Sequence, residues 1–251
     1  MEPFVKTQID NGIATIAFFH PQGNAMPGIQ LARLAADITS AGADADVKVI
    51  ILKSGGDRAF CAGASFDELL SIANEEDGKA FFLGFANVIN AMRKVPKLIM
   101  ARIQGKAVGG GVGLACAADY TLATTAAAIK LSELTIGIGP FVISPAVERK
   151  IGTSAFMHLT MNATEFYDAQ WAKDKNLYAD TFETVEALDD AVATLAQKLA
   201  TYNPEAMKLL KQAAWAGTEH WDTLLTERAQ MSGSLVLSDF TKNALHNFNP
   251  K

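Results

Sequence analysis

The chain has 251 residues, 49% of them hydrophobic, with two cysteines and a formal net charge of -5. That length and apolar share suit one large domain, or one domain with an appended helical part, and no disulfide staple is needed at this size. The acidic balance, with no long basic run, argues against nucleic acid as a partner, and no segment approaches the ~20 apolar residues of a membrane span.

Met1–Thr7 lacks a charged start followed by an apolar stretch, so no signal peptide is expected and the chain reads as cytoplasmic. Phe4–Phe19 reads as two strands around Asp10-Asn11-Gly12, because Asn-Gly supplies the positive φ values of a tight hairpin. After a Pro27-Gly28 turn, Ile29–Ala41 has helical spacing, with Ile29, Leu31, Leu34 and Ile38 on one side. Val47–Lys53 is a short apolar strand ended by Ser54-Gly55-Gly56. Phe66–Ala73 and Lys79–Arg93 read as helices, Lys97–Ile103 as a strand and Gly109–Ala118 as a helix. Tyr120–Ala123 and Ile129–Leu131 read as short strands. Ser144-Pro145 suits an N-cap followed by a first-turn proline. From Tyr167 onward the pattern is mainly helical, most clearly over Leu188–Leu199, Pro204–Ala216 and Leu224–Phe240. Strands alternating with helices and then helices alone predict an α/β core with a helical C-terminal part, the two meeting near residue 195.

Two glycine-bearing loops stand out. Ala59–Ser65 reads AFCAGAS and Gly105–Leu114 reads GKAVGGGVGL; each follows a strand-like run and leads into helical sequence. Loops at the ends of neighbouring strands can each aim one N–H at a common point, which is the geometry that holds a carbonyl oxygen as it becomes an oxyanion. Nucleotide fingerprints fail: Gly111-x-Gly113-x-x ends on Cys116, and Gly105-Lys106 is followed by Ala107 rather than Ser or Thr. There is no Gly-x-Ser-x-Gly elbow and no His-x-x-x-His spacing, and four scattered histidines suggest no metal site. Cys61 and Cys116 read as small buried hydrophobes, since no histidine lies near either in sequence.

Glu133 is the only acid in Ile129–Ile143, IKLSELTIGIGPFVI. Desolvation there would raise its pKa and let it take and return a proton near neutral pH. The plainer alternatives are a surface glutamate, or a buried one tied to Lys130.

The two loops at this spacing resemble those of the crotonase superfamily, the enoyl-CoA hydratases and isomerases, and the resemblance runs from about Val5 to Phe248. It implies a crotonase-like spiral of ββα units. Residues 1–195 would carry the CoA-ester site and 196–251 a helical region for oligomerisation or a lid. The substrate would be an acyl-CoA with no further cofactor, no nucleic acid and no membrane, and the assembly a homotrimer or a dimer of trimers. In this resemblance the Ala64 and Gly110 N–H groups grip the thioester oxygen, and Glu133 is the general acid and base. Ala62, Gly63, Gly109 and Gly113 would shape the substrate site. Phe66, Phe82 and Phe85 could line an acyl pocket, with Phe141 also at the substrate site, although such a stripe is more often simply core. Arg58 could meet a CoA phosphate or be a solvated surface charge, and Lys242 could reach CoA on a neighbouring subunit. A side chain at Gly110 would block the thioester. Asp119, at the end of the glycine helix, reads as structural.

One departure matters. Typical hydratases carry a second glutamate just after the glycines, where this chain has Gly113. Methylglutaconyl-CoA hydratases manage with one glutamate and share the GGGxGL form, the Ser-Glu pair and a stretch like Gly137–Pro145, GIGPFVISP. The Δ3–Δ2-enoyl-CoA isomerases also use a single base. Peroxisomal-type isomerases and chlorobenzoyl-CoA dehalogenases place an acid where Phe141 stands, which argues against both. The expected activity is hydration of an enoyl-CoA. The alternatives are an isomerase and a non-catalytic acyl-CoA- or protein-binding module.

Overall fold

In the computed structural model, residues 1–248 are described. The strands are β1 (Phe4–Asp10), β2 (Ile13–Phe19), β3 (Val49–Ser54), β4 (Leu98–Ile103), β5 (Ala107–Val108), β6 (Tyr120–Thr124), β7 (Ile129–Lys130) and β8 (Asp180–Phe182). Asn11 (φ 48°) and Gly12 (φ 79°) make the left-handed turn that folds β1 back on β2. From β2 the sheet grows in parallel, giving the order β1-β2-β3-β4-β6-β8. A second, two-stranded parallel sheet pairs β5 with β7.

The period-2 alternation of a buried strand sends neighbouring residues to opposite faces. In β3, Ile50 and Leu52 enter the main core, whereas Val49 and Ile51 join a smaller cluster on the other face. The main face is covered by α1 (Gly28–Ala43), α2 (Phe66–Ser71), α3 (Glu75–Lys94) and α4 (Gly110–Ala117), followed by α5 (Ser144–Ile151) and α6 (Thr153–Met161). α7 (Ala169–Asp174) leads to β8, and α8 (Val185–Ala200) covers the smaller cluster with Leu188, Val192 and Ala196. Arg102 of β4 ties α8 down, donating to Asp189 at 2.7 and 3.1 Å. Residue 195 falls inside this helix. The chain ends with α9 (Pro204–Ala214), α10 (Trp221–Leu235) and α11 (Asp239–Phe248). α10 lies directly on α3, where a Cβ at Gly78 would sit 2.7 Å from the Gly233 carbonyl.

The α/β core with a helical C-terminal part is as expected, and four local expectations change. Ile29 is 79% exposed, and Gln30 takes the buried place beside Leu31, because Gln30 Nε2 donates to the Phe4 and Phe19 carbonyls. Ser144 is not the N-cap of α5; Ile143 is, and the Ser144 hydroxyl donates instead to the Phe141 carbonyl at 2.9 Å. Leu224–Phe240 is two helices, broken where Ser238 Oγ accepts from Thr241 N–H and starts α11. β8 was not foreseen, since three half-buried residues carry too short a pattern to read. No helix among the described residues is long and apolar enough to cross a membrane.

Candidate active site

The two glycine loops are stitched to each other. Phe60 N–H donates to the Lys106 carbonyl and Val108 N–H to the Cys61 carbonyl, each at 2.9 Å. Two glycines turn the chain here with left-handed φ: Gly63 at 93° and Gly109 at 53°. A Cβ at Gly63 would lie 3.0 Å from the Val108 carbonyl and 3.7 Å from Gly110 N, so the loops touch through bare backbone. Gly109 N–H is taken by the Lys130 carbonyl at 2.9 Å. The next N–H, that of Gly110, opens α4 and donates to no group among the described residues; nor does that of Ala64. Both residues line one cavity.

Glu133 begins a 3-10 helix (Glu133–Ile136) that ends on left-handed Gly137. Its carboxylate lies against the Gly109 α-carbon, where a Cβ would come 2.9 Å from Oε1. Glycine at 109 therefore serves the carboxylate as well as the turn, a role that the sequence does not display. Glu133 Oε2 is buried with no hydrogen-bond partner among the described residues. Burial pushes the carboxyl up from its usual 4.5 to about 7, against the opposing pull of its own backbone N–H. Lys130 does not pair with it; the Lys130 ammonium stands over the Phe166 ring at 5.1 Å.

Of the residues picked out in the sequence, Ala62, Gly63, Ala64, Gly109, Gly110 and Glu133 meet at this cavity. Phe66, Phe82, Phe85 and Phe141 are also on its wall. One expectation needs correction. Gly113 does not line the cavity: it is buried behind Ile143, whose own Cβ lies 2.6 Å from where a Cβ of residue 113 would be. Arg58 is exposed on a separate groove with His20 and Lys106, because its loop turns outward before Phe60 returns to the core, a position compatible with either of its expected roles. The need for glycine at 110 has a packing cause as well: a Cβ there would run into the Phe85 ring, 2.8 Å from Cδ1. Ile143 and Ser232 line the cavity but were not foreseen. Ile143 sits in a uniformly apolar stretch and Ser232 on a distant helix, so neither carries a local signal. Cys61 and Cys116 are buried, and burial pushes both thiols up to about 12, which leaves no thiolate to act as a nucleophile.

Asp119 is fully engaged at the far end of α4. Its carboxylate accepts from Ile99 N–H and from Trp215 Nε1–H, each at 2.7 Å, and lies 3.0 Å from the buried Lys211 ammonium.

The family model described as enoyl-CoA hydratase/isomerase matches residues 8–251. The chain is 28% identical over 207 residues to the short-chain-enoyl-CoA hydratase of Clostridium acetobutylicum, covering 82% of this chain and 78% of that protein. It is 30% identical over 215 residues to the mitochondrial methylglutaconyl-CoA hydratase of Mus musculus, covering 84% of this chain and 68% of that one. The crystal structure of an enoyl-CoA hydratase from Bacillus halodurans has the same fold, with a TM-score of 0.90 at 21% identity over 97% of this chain and 99% of that chain.

Proposed function

The chain belongs to the enoyl-CoA hydratase/isomerase family, and we propose that it adds water across the double bond of a 2-enoyl-CoA, as a cytoplasmic enzyme needing no cofactor beyond the CoA of its substrate. One observation carries this reading. A buried carboxylate oxygen and two N–H groups, all without hydrogen-bond partners among the described residues, face a single cavity.

The thioester carbonyl oxygen would accept from Ala64 and Gly110 N–H. Donors fixed in advance gain most as that oxygen becomes an enolate, roughly 2.7–4 kcal/mol for one donor. Gly110 begins α4, so the helix dipole adds to them. Ionised Glu133 takes a proton from water as the water oxygen bonds to C3. The C2=C3 electron pair moves toward the thioester oxygen. Glu133 then returns its proton to C2 and ends ionised, as it began. A carboxyl near pKa 7 suits both halves of that cycle.

A second reading, isomerisation, is favoured by Ile143. It fills the space beside Gly113, so an apolar wall stands where a second carboxylate would help hold water. Glu133 alone would then take a proton from C2 of a 3-enoyl-CoA and deliver it to C4. The readings separate on mixing the protein with a short 2-enoyl-CoA and, in a second cuvette, its 3-enoyl isomer. Hydration predicts a fall in conjugated-thioester absorbance with the first. A rise with the second and no fall with the first would mean isomerisation. No change in either would leave a non-catalytic binding module. The proposed assembly is a trimer or a dimer of trimers, and a monomer by light scattering would contradict it.

A further inference from the structure

We infer that the acyl end of this cavity selects uncharged acyl groups and rejects those that end in a carboxylate. The inference deepens the CoA-ester reading above and rests on it. The apolar wall of the cavity includes Leu69, Phe82, Phe85, Phe141, Val142 and Ile143. Among the described residues, the polar side chains on the cavity are those of Ser132, Glu133 and Ser232, and Glu133 is the one ionisable group of the three. Ser232 is almost completely buried, and its hydroxyl can offer a hydrogen bond but cannot neutralise a charge. Cationic side chains stand apart: Arg58 and Lys106 line a groove that shares no residue with this cavity.

A carboxylate carried into the cavity would lose its hydration with no cation to replace it, which costs far more than burying a methyl group. It would also meet a like charge, because Glu133 must be ionised to take a proton. Both effects oppose binding. A terminal methyl group on the same chain would instead gain apolar contact with the phenylalanine rings.

The test compares the affinities of pentanoyl-CoA and glutaryl-CoA by calorimetry. Both are saturated and so not turned over, and they differ by a carboxylate in place of the terminal methyl. Pentanoyl-CoA is expected to bind at least roughly 30-fold more tightly. In Glu133→Gln the gap should narrow, since the like charge is gone while the apolar wall remains. Glutaryl-CoA binding as tightly as pentanoyl-CoA, in a protein that turns over a 2-enoyl-CoA, would overturn this inference and leave the proposed function standing. Binding of neither ester would overturn both.

Discussion

Two acids flank the same eight-residue helix, α4, and the chain treats them in opposite ways. At the C-terminal end, both Asp119 oxygens are engaged, by a backbone N–H, an indole N–H and an ammonium. At the N-terminal end, Glu133 keeps one buried oxygen without a partner and is pushed up to about 7. A buried polar group left unsatisfied costs free energy, so a fold tolerates it where something else is gained. The satisfied acid holds β4, α4 and α9 together. The unsatisfied one is available to a ligand. The contrast gives a way to tell structural from reacting carboxylates inside one small region.

Substitution at each end should break different properties. Glu133→Gln is expected to lower turnover by roughly 10²–10⁴-fold while CoA-ester binding survives, as steady-state kinetics and calorimetry would show. Near-wild-type turnover would end the assignment. Asp119→Ala should instead cost about 3–5 kcal/mol of stability, because it strands Lys211, whose side chain is 2% exposed, as an unpaired buried charge. Urea unfolding measures this, and a loss below about 1 kcal/mol would mean that the Lys211 contacts to the Met92 and Lys97 carbonyls, each 2.7 Å, suffice.

The pH dependence of stability sharpens the contrast. The folded chain holds the Glu133 proton up to about pH 7, whereas the unfolded chain releases it near the usual 4.5. That contribution is fully present below pH 4.5 and is lost as pH rises through 7, by about 3 kcal/mol in all. The stability of the wild type relative to Glu133→Gln should therefore fall between pH 4.5 and 8. Parallel unfolding curves across that range would show that the carboxyl is not desolvated. The smallest expected effect is at the helix start. Gly110→Ala should destabilise by about 1–3 kcal/mol through overpacking against Phe85, and adding Phe85→Leu should recover much of it. No recovery in the double variant would place the conflict elsewhere.

The sequence displays the parts of this site that depend on local pattern. Strand–glycine–helix punctuation marks both loops, and a lone acid in apolar surroundings marks Glu133. What it hides is set by distant packing. Phe85 explains Gly110 from a helix some 25 positions earlier, counting 110 less 85. Ile143 occupies the space beside Gly113, and Ser232 arrives on α10 because Gly78 and Gly233 allow two helices to touch. Arg58 is close in sequence to the first loop yet lines a different groove, since a left-handed turn at Gly56 (φ 79°) redirects the chain just before it. The break at Ser238 is invisible to helical periodicity because the apolar spacing continues through it.

The most direct test of the central claim, that an unpartnered buried carboxylate is the reacting group, is the pH profile of kcat/KM on a short 2-enoyl-CoA. That parameter reports the ionisation of the free enzyme. Since Glu133 must be ionised to act, the rate should climb with pH along a limb centred near 7, and Glu133→Gln should leave a residual rate without that limb. A limb near the usual 4.5, or the same limb surviving in the variant, would contradict the account.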